Sequence, residues 1–199
     1  MKAMIGQDSK PIKVGIIVIF VIGSFFFPLF LVIFFQDIFF FSRDHIYFQP
    51  LLSAYVLFFA GSMLMAGTLL LDLLYNSRRE NKNLKHRPWM FFLGIPVVIL
   101  TCTLGINSYF YFDSKGLHFN EAFTLERTDM EWSNMKEVIK ITTRENNTVI
   151  LKEHEFIGKD GSHFTVQNDR DFFDYRNKIY AYIEAADVPM RTIFIEPEE

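Results

Sequence analysis

The sequence predicts an α+β membrane protein: three transmembrane helices followed by a small antiparallel β-sheet or partly open barrel with a C-terminal amphipathic helix. Three observations predict it. Three runs carry no charge: 22 residues from Val14 to Phe35, 21 from Leu51 to Leu71 and 24 from Trp89 to Phe112. Past about Ile106 the apolar residues break into short alternating stretches separated by turn residues, the pattern of strands. A last segment, from about Asn168 to Ala186, repeats its apolar residues at helical spacing.

Each uncharged run suffices for one crossing, because a bilayer core about 30 Å thick takes roughly 20 residues at about 1.5 Å each. The chain has 199 residues, half of them hydrophobic and 24 of them Phe. It has too little other material to cover three helices that are apolar on all sides. Lys2, Lys10 and Lys13 precede the first run as in a secretory signal, but the run is too long for one and no small-x-small cleavage site follows it. The organisation expected is a cytoplasmic tail at 1–13, a transmembrane region at 14–106 with helices at about 14–35, 51–75 and 89–106, a folded domain at 107–188, and a polar tail at 189–199. The single cysteine, Cys102, falls in the third run, which excludes an intrachain disulfide and a cysteine-based metal site.

Charge sets the orientation. The segment NSRRENKNLKHRPW, Asn76 to Trp89, carries Arg78, Arg79, Lys82, Lys85 and Arg87 against Glu80, whereas the first loop has only Arg43 with Asp37 and Asp44. Short loops rich in Lys and Arg stay on the cytoplasmic side, and three crossings put the basic N-terminal tail on that same side. The first loop and everything after Phe112 are then expected outside, at the plasma membrane. Residues 113–199 hold 11 Lys and Arg against 18 Asp and Glu, net −7, while residues 1–112 hold 9 against 5, net +4. An acidic domain is repelled by nucleic acid and by anionic lipid surfaces, so nucleic acid is not an expected partner.

Within the first helix Pro28 is expected to kink the backbone, and in the third Gly94 with Pro96. In lipid, helices approach where small residues recur, so Gly61, Ser62, Ala66 and Gly67 form one packing candidate and Thr101 with Gly105 another. These faces serve packing within the chain, a homo-oligomer, or docking on a second membrane protein. Asp72 is the intramembrane charge, placed near the cytoplasmic end close to Arg78 and Arg79. The runs otherwise offer only Ser and Thr as polar groups, too few for a carrier acting alone. Trp89, Tyr47, Phe48 and Tyr75 fall where an interfacial aromatic belt is expected.

In the domain, SYFYF and GLHFN flank DSK as two strands of a hairpin, and MEWSNMKEVIKITTRE supplies a longer strand ended by ENN. TVILKEHEFI and SHFTV flank GKDG, where Asp160 and Gly161 suit a tight turn that sets Ile157 opposite Phe164. Asn168 is the expected helix cap, with Asp171 in the acid-rich first turn. Phe172, Tyr175, Ile179, Tyr182, Ile183 and Ala186 share one face, and Pro189 prevents extension. RTIFIEP, inside the expected tail, has the composition of a further short strand.

A D-x-K-G-L turn after an aromatic strand, then MEWSNMKEVIKI, a hairpin and a final helix, carry a resemblance over roughly Tyr109 to Val188. Gly116, Leu117, Trp132, Val138 and Ile139 bear most of it. The segment resembles bacterial pleckstrin-homology-like (PH-like) domains fused to short transmembrane segments in mainly Gram-positive membrane proteins. The resemblance implies a partly open barrel with a capping helix, used as a binding or assembly module, and it brings no catalytic residues with it.

No catalytic or metal constellation emerges from the remaining residues. His118, Glu153, His154, Glu155 and His163 are suitable zinc ligands by type, but strand alternation sends His154 to the face opposite Glu153 and Glu155, and His163 is out of register with it. They are expected as exposed polar positions. No H-E-x-x-H, no G-x-S-x-G and no phosphate-cradling glycine loop occurs. The expected role is non-enzymatic, with no cofactor and no metal: a multi-pass membrane protein whose domain binds another protein, through a strand edge or through Trp132, Tyr175 and Tyr182. An immunity protein and an accessory subunit of an envelope complex both fit. The alternative is a transporter or channel subunit docking through its helices.

Overall fold

The computed structural model describes residues 9–85, 87, 89–124, 126–145 and 148–196. Residues 1–8 of the expected N-terminal tail, Asn146 and Asn147 of the expected ENN turn, and 197–199 of the expected polar tail lie outside them. Among the described residues the fold is α+β, with four α-helices and two four-stranded sheets. The chain divides into two compact units, one of residues 1–41, 50–109 and 120–125, the other of residues 42–49, 110–119 and 126–199.

The first unit is built from helices α1 (Ser9–Phe40), α2 (Leu52–Glu80) and α3 (Trp89–Ile106). Helices α1 and α3 run unbroken through Pro28 and Pro96. Val32, Ala54 and Phe58 form the packed centre, with Leu31, Phe35, Tyr55, Cys102 and Ile106 against it. Helix α2 ends where Asn83 adopts a left-handed conformation (φ 53°), so that Leu84 N–H reaches Arg79 O and Asn83 N–H reaches Glu80 O. This C-terminal motif satisfies carbonyls the helix leaves open. At α3 the same need is met by a side chain: Gln36 Nε2 donates to the carbonyls of Ile106 (3.0 Å) and Ser108 (3.1 Å).

Helices α1 and α2 are long and apolar enough to cross a membrane; α3 is shorter, with its apolar stretch at Phe92–Ile106. The three expected spans are corrected to two that qualify by this measure, although α3 keeps the bounds expected of the third, 89–106. Past α3 the third uncharged run turns at Asn107 and continues as the expected strand at Tyr109–Phe112, where alternating Tyr and Phe favour a pleated backbone.

The second unit begins with a strand inside the expected first loop. Strand β1 (Tyr47–Pro50), from the connection between α1 and α2, lies beside β2 (Tyr109–Phe112), followed in order by β3 (Gly116–Asn120) and β4 (Thr128–Glu131). Ile46 N–H donates to Phe112 O at 2.7 Å. The other sheet has the order β7-β6-β5-β8, from β5 (Met135–Glu145), β6 (Thr148–Gly158), β7 (His163–Gln167) and β8 (Met190–Ile195). Pairs β5–β6 and β6–β7 are antiparallel, but β8 runs parallel to β5. The expected antiparallel sheet is corrected there, and the expected tail at 189–199 is corrected over Met190–Ile195. Helix α4 (Arg170–Ala185) returns the chain between β7 and β8, and a helical crossover delivers a strand in the same direction as the one before it.

Two finer expectations also change. Phe156 faces Phe164, and Ile157 faces His163, one residue from the expected register. Gly158 N–H bonds Ser162 O at 2.7 Å and Gly161 takes φ 87°, so the loop holds three residues, not two. The cap of α4 is Asp169, whose Oδ1 accepts from Phe172 N–H at 2.8 Å. Asn168 instead ties back to β6, its side-chain amide donating to Leu151 O and its backbone N–H to Lys152 O. The core of this unit holds Phe112, Leu117, Val138, Phe156, Phe172 and Ile179.

Candidate functional site

In the helical unit the polar centre is Asp72. It is buried, and its partner is Lys13 of α1, whose Nζ lies 2.9 Å from Oδ2. Arg78 and Arg79, expected as its neighbours in charge, do not pair with it; Arg79 donates through Nε to Lys85 O and stands over the Tyr75 ring. Asn76 Nδ2 donates to Asp72 Oδ1 (3.0 Å), and Asn76 Oδ1 accepts from Arg87 N–H (2.8 Å). Both carboxylate oxygens are thus engaged, and one carboxylate ties α1, α2 and the basic connection together. Removing either charge would leave the other uncompensated in a poor solvent for ions.

The small-residue candidates separate into two groups. Gly61 meets Thr101: a Cβ there would lie 2.7 Å from its hydroxyl. Gly105 meets Phe58 and the Ala54 carbonyl, and Ala66 is buried. Gly61 and Gly105 thus close the packing of α2 on α3. Around Gly67 nothing lies within 4 Å of an added Cβ, and Ser62 is half-buried. Gly94, expected as part of a kink, seats Thr68, whose Cγ2 would be 2.2 Å from an added Cβ.

In the second unit His118 is buried between two carboxylates, Nδ1 at 2.5 Å from Asp129 Oδ1 and Nε2 at 3.1 Å from Asp113 Oδ1. Arg127 adds an ion pair to Asp129 at 2.6 Å and a bond to the Tyr111 hydroxyl. Burial works against ionisation of both acids. The Lys115 N–H and His118 outweigh it at Asp113, Arg127 and His118 outweigh it at Asp129, and both carboxyls end below the usual range. The two acids lie against different nitrogens of one ring, and among the described residues no group of three or more His, Cys, Asp or Glu has metal-holding geometry.

His154 is fully buried, not exposed, because α4 covers its face of β6. Its Nε2 bonds the Tyr180 hydroxyl, while its Nδ1 has no partner. Burial, then the cations of Lys140 and Arg176, push its pKa down to about 4. Glu153 and Glu155 lie on the other face of β6, and His163 pairs with Ile157.

The aromatic candidates do not form one surface. Trp132 is buried, 6.0 Å from Phe112 in a stacked pair, with Nε1 donating to Asp113 O. Tyr182 is half-buried and stacks on Trp132 at 6.2 Å. Tyr175 is exposed, and its ring leans on Tyr47 at 5.4 Å. What the unit does present is β8, every residue of which is exposed, at the end of its sheet. Val138 N–H bonds Pro189 O. By the alternation of a parallel ladder, Arg191, Ile193 and Ile195 then bond β5, while Met190, Thr192 and Phe194 turn their N–H and C=O groups outward. A groove of about 500 Å³ beside it is lined by Ile141, Thr143, Lys152, Glu153 and Ile195.

Comparison of the chain with protein-family models, with curated proteins and with solved structures finds no match.

Proposed function

We propose that the chain is a non-enzymatic, three-pass plasma-membrane protein that presents its second unit, a PH-like domain, on the extracytoplasmic side, where that domain binds another protein as an immunity or envelope-complex accessory factor. The observation that carries the reading is the open edge of β8. An edge strand with outward N–H and C=O groups takes up a strand from a partner, and natural proteins otherwise blunt such edges. Apart from Arg191 and the flanking Glu196, β8 offers Ile193, Phe194 and Ile195 for the alternate faces of an added strand. Support for three passes comes from the uncharged third run and from α3, whose 18 residues rise about 27 Å by helical geometry. Two four-stranded sheets with a helix after β7 support the PH-like reading.

The test uses the full-length chain in its native membrane. Thr192→Pro removes an outward N–H and leaves the ladder to β5 intact, since proline is tolerated on the solvent side of an edge strand. Crosslinking on intact cells should recover a specific protein partner with the wild-type chain and lose it with Thr192→Pro at unchanged abundance. Retention of the same partner by Thr192→Pro counts against the edge. A transporter or channel subunit is the second reading, favoured by the open space at Gly67. It requires the partner to be lost with Gly67→Leu and kept with Thr192→Pro.

A further inference from the structure

We infer that the end of the helical unit bearing the basic connection is a binding site for one anionic phospholipid, with an acyl chain between α2 and α3 and the phosphate on the arginines and lysines above it. The inference rests on the membrane reading proposed above.

A groove of about 340 Å³ runs between the two helices, lined by Leu64, Thr68 and Leu71 of α2 and by Trp89, Leu93 and Val97 of α3. It reaches the lower end of the volume range of ligand pockets, roughly 300–1,000 Å³. Its lining is apolar except for the Thr68 hydroxyl, and that hydroxyl is already spent on Met65 O at 2.9 Å. Nothing in the groove asks for a polar ligand, whereas a hydrocarbon chain fills it with matching chemistry.

Helical periodicity extends the groove face of α2 toward the basic end. Residues 64, 68, 71, 75 and 78 recur at three- and four-residue steps, so Tyr75 and Arg78 continue the line of Leu64, Thr68 and Leu71, and Lys82 follows in the turn that ends the helix. Trp89 forms the mouth: it lines the groove and meets the Tyr75 ring edge to face at 6.0 Å, and Arg79 stands over that same ring at 5.7 Å. Arg78, Lys82, Lys85 and Arg87 are exposed, and Glu80 is the acid of the connection. Asp72, the other nearby acid, is buried and paired with Lys13, so it does not offset this charge. A molecule with an apolar chain about as long as the groove and a negative group at one end complements both parts at once; a zwitterionic lipid complements only the first.

Quenching of Trp89 by brominated lipid tests this in the full-length chain reconstituted into vesicles, with a Trp89→Phe control to subtract Trp132. In phosphatidylcholine vesicles carrying increasing brominated phosphatidylglycerol, Trp89 is expected to quench at a several-fold lower mole fraction than with brominated phosphatidylcholine. Arg78→Gln with Lys82→Gln should abolish that preference, since about 1 kcal/mol per basic residue amounts to roughly thirtyfold for the two together. Leu93→Phe, which narrows the groove and keeps the charges, should reduce the quenching while leaving the salt dependence of vesicle binding intact. Equal quenching by both lipids means surrounding bulk lipid only and overturns the site. Displacement by soluble glycerophosphate would assign the charges to a free phosphate and overturn the lipid. Absence of quenching by either lipid would show that α3 is not in the bilayer, and then the membrane reading falls with the site.

Discussion

Lys13 and Asp72 illustrate how a single pair constrains a helical unit. Asp72 is almost fully buried while Lys13 keeps part of its side chain in solvent, so the cost of breaking the pair falls mainly on the carboxylate. Lys13→Met should therefore destabilise the unit by about 2–3 kcal/mol, read as a lower thermal midpoint in detergent. Lys13→Met with Asp72→Leu should recover most of it, since no buried charge is then left. If the double variant is no better than the single, the pair is not what couples α1 to α2. The second residue-scale prediction concerns His154, whose ring is neutral and whose Nδ1 has no partner. Protonation would add a second buried N–H beside Lys140 and Arg176. Between the ordinary histidine value of 6.5 and about 4, the unfolded chain binds the proton more readily than the folded one. Stability is thus complete above the upper value and falls as pH is lowered through that window, by on the order of 3 kcal/mol in all. His154→Phe should flatten unfolding free energy against pH between 6.5 and 4; an unchanged slope would exclude His154 as its source.

At the scale of elements, helix ends decide where strands begin. Helix α4 closes with Asp187 at φ 55°, Val188 N–H on Ile183 O and Asp187 N–H on Glu184 O, which aims the chain into β8. Asp187→Gly should raise the unfolding free energy by about 0.5–1 kcal/mol, because glycine adopts that conformation without the steric cost. Asp169→Ala should lower it by about 1 kcal/mol through loss of the cap at Phe172, and Asn168→Ala should act on the tie to Leu151 instead. Hydrogen exchange at the first turn of α4 separates the two: only Asp169→Ala should speed it. The apolar period of α4 was plain in the sequence, but its cap was not, since Asn168 and Asp169 are both good caps and only the tertiary bond to β6 chooses between them. Likewise RTIFIEP had the composition of a strand, yet its parallel pairing depends on the crossover of α4, which no local pattern contains. Strand β1 was hidden for a similar reason. Four residues between helices give no period, and the strand they pair with, Tyr109–Phe112, is far along the chain.

For the molecule as a whole, the sequence carried the asymmetry of charge and the lengths of the apolar runs; the structure supplied which polar groups answer each other. The basic connection could be read from composition alone, but not that Asn76 orders it or that Asp72 prefers Lys13 to the arginines next to it in sequence. Trp132 was legible as an important aromatic, and its placement in the core follows from the stack on Phe112 that only the folded sheet creates. Sidedness is the claim on which the proposed role depends, and it is measured most directly by labelling single cysteines on intact cells with a membrane-impermeant maleimide. With Cys102→Ala as background, a cysteine at Asp160 should label on intact cells and one at Lys82 only after permeabilisation. Labelling of Lys82 with protection of Asp160 would contradict an outward-facing domain.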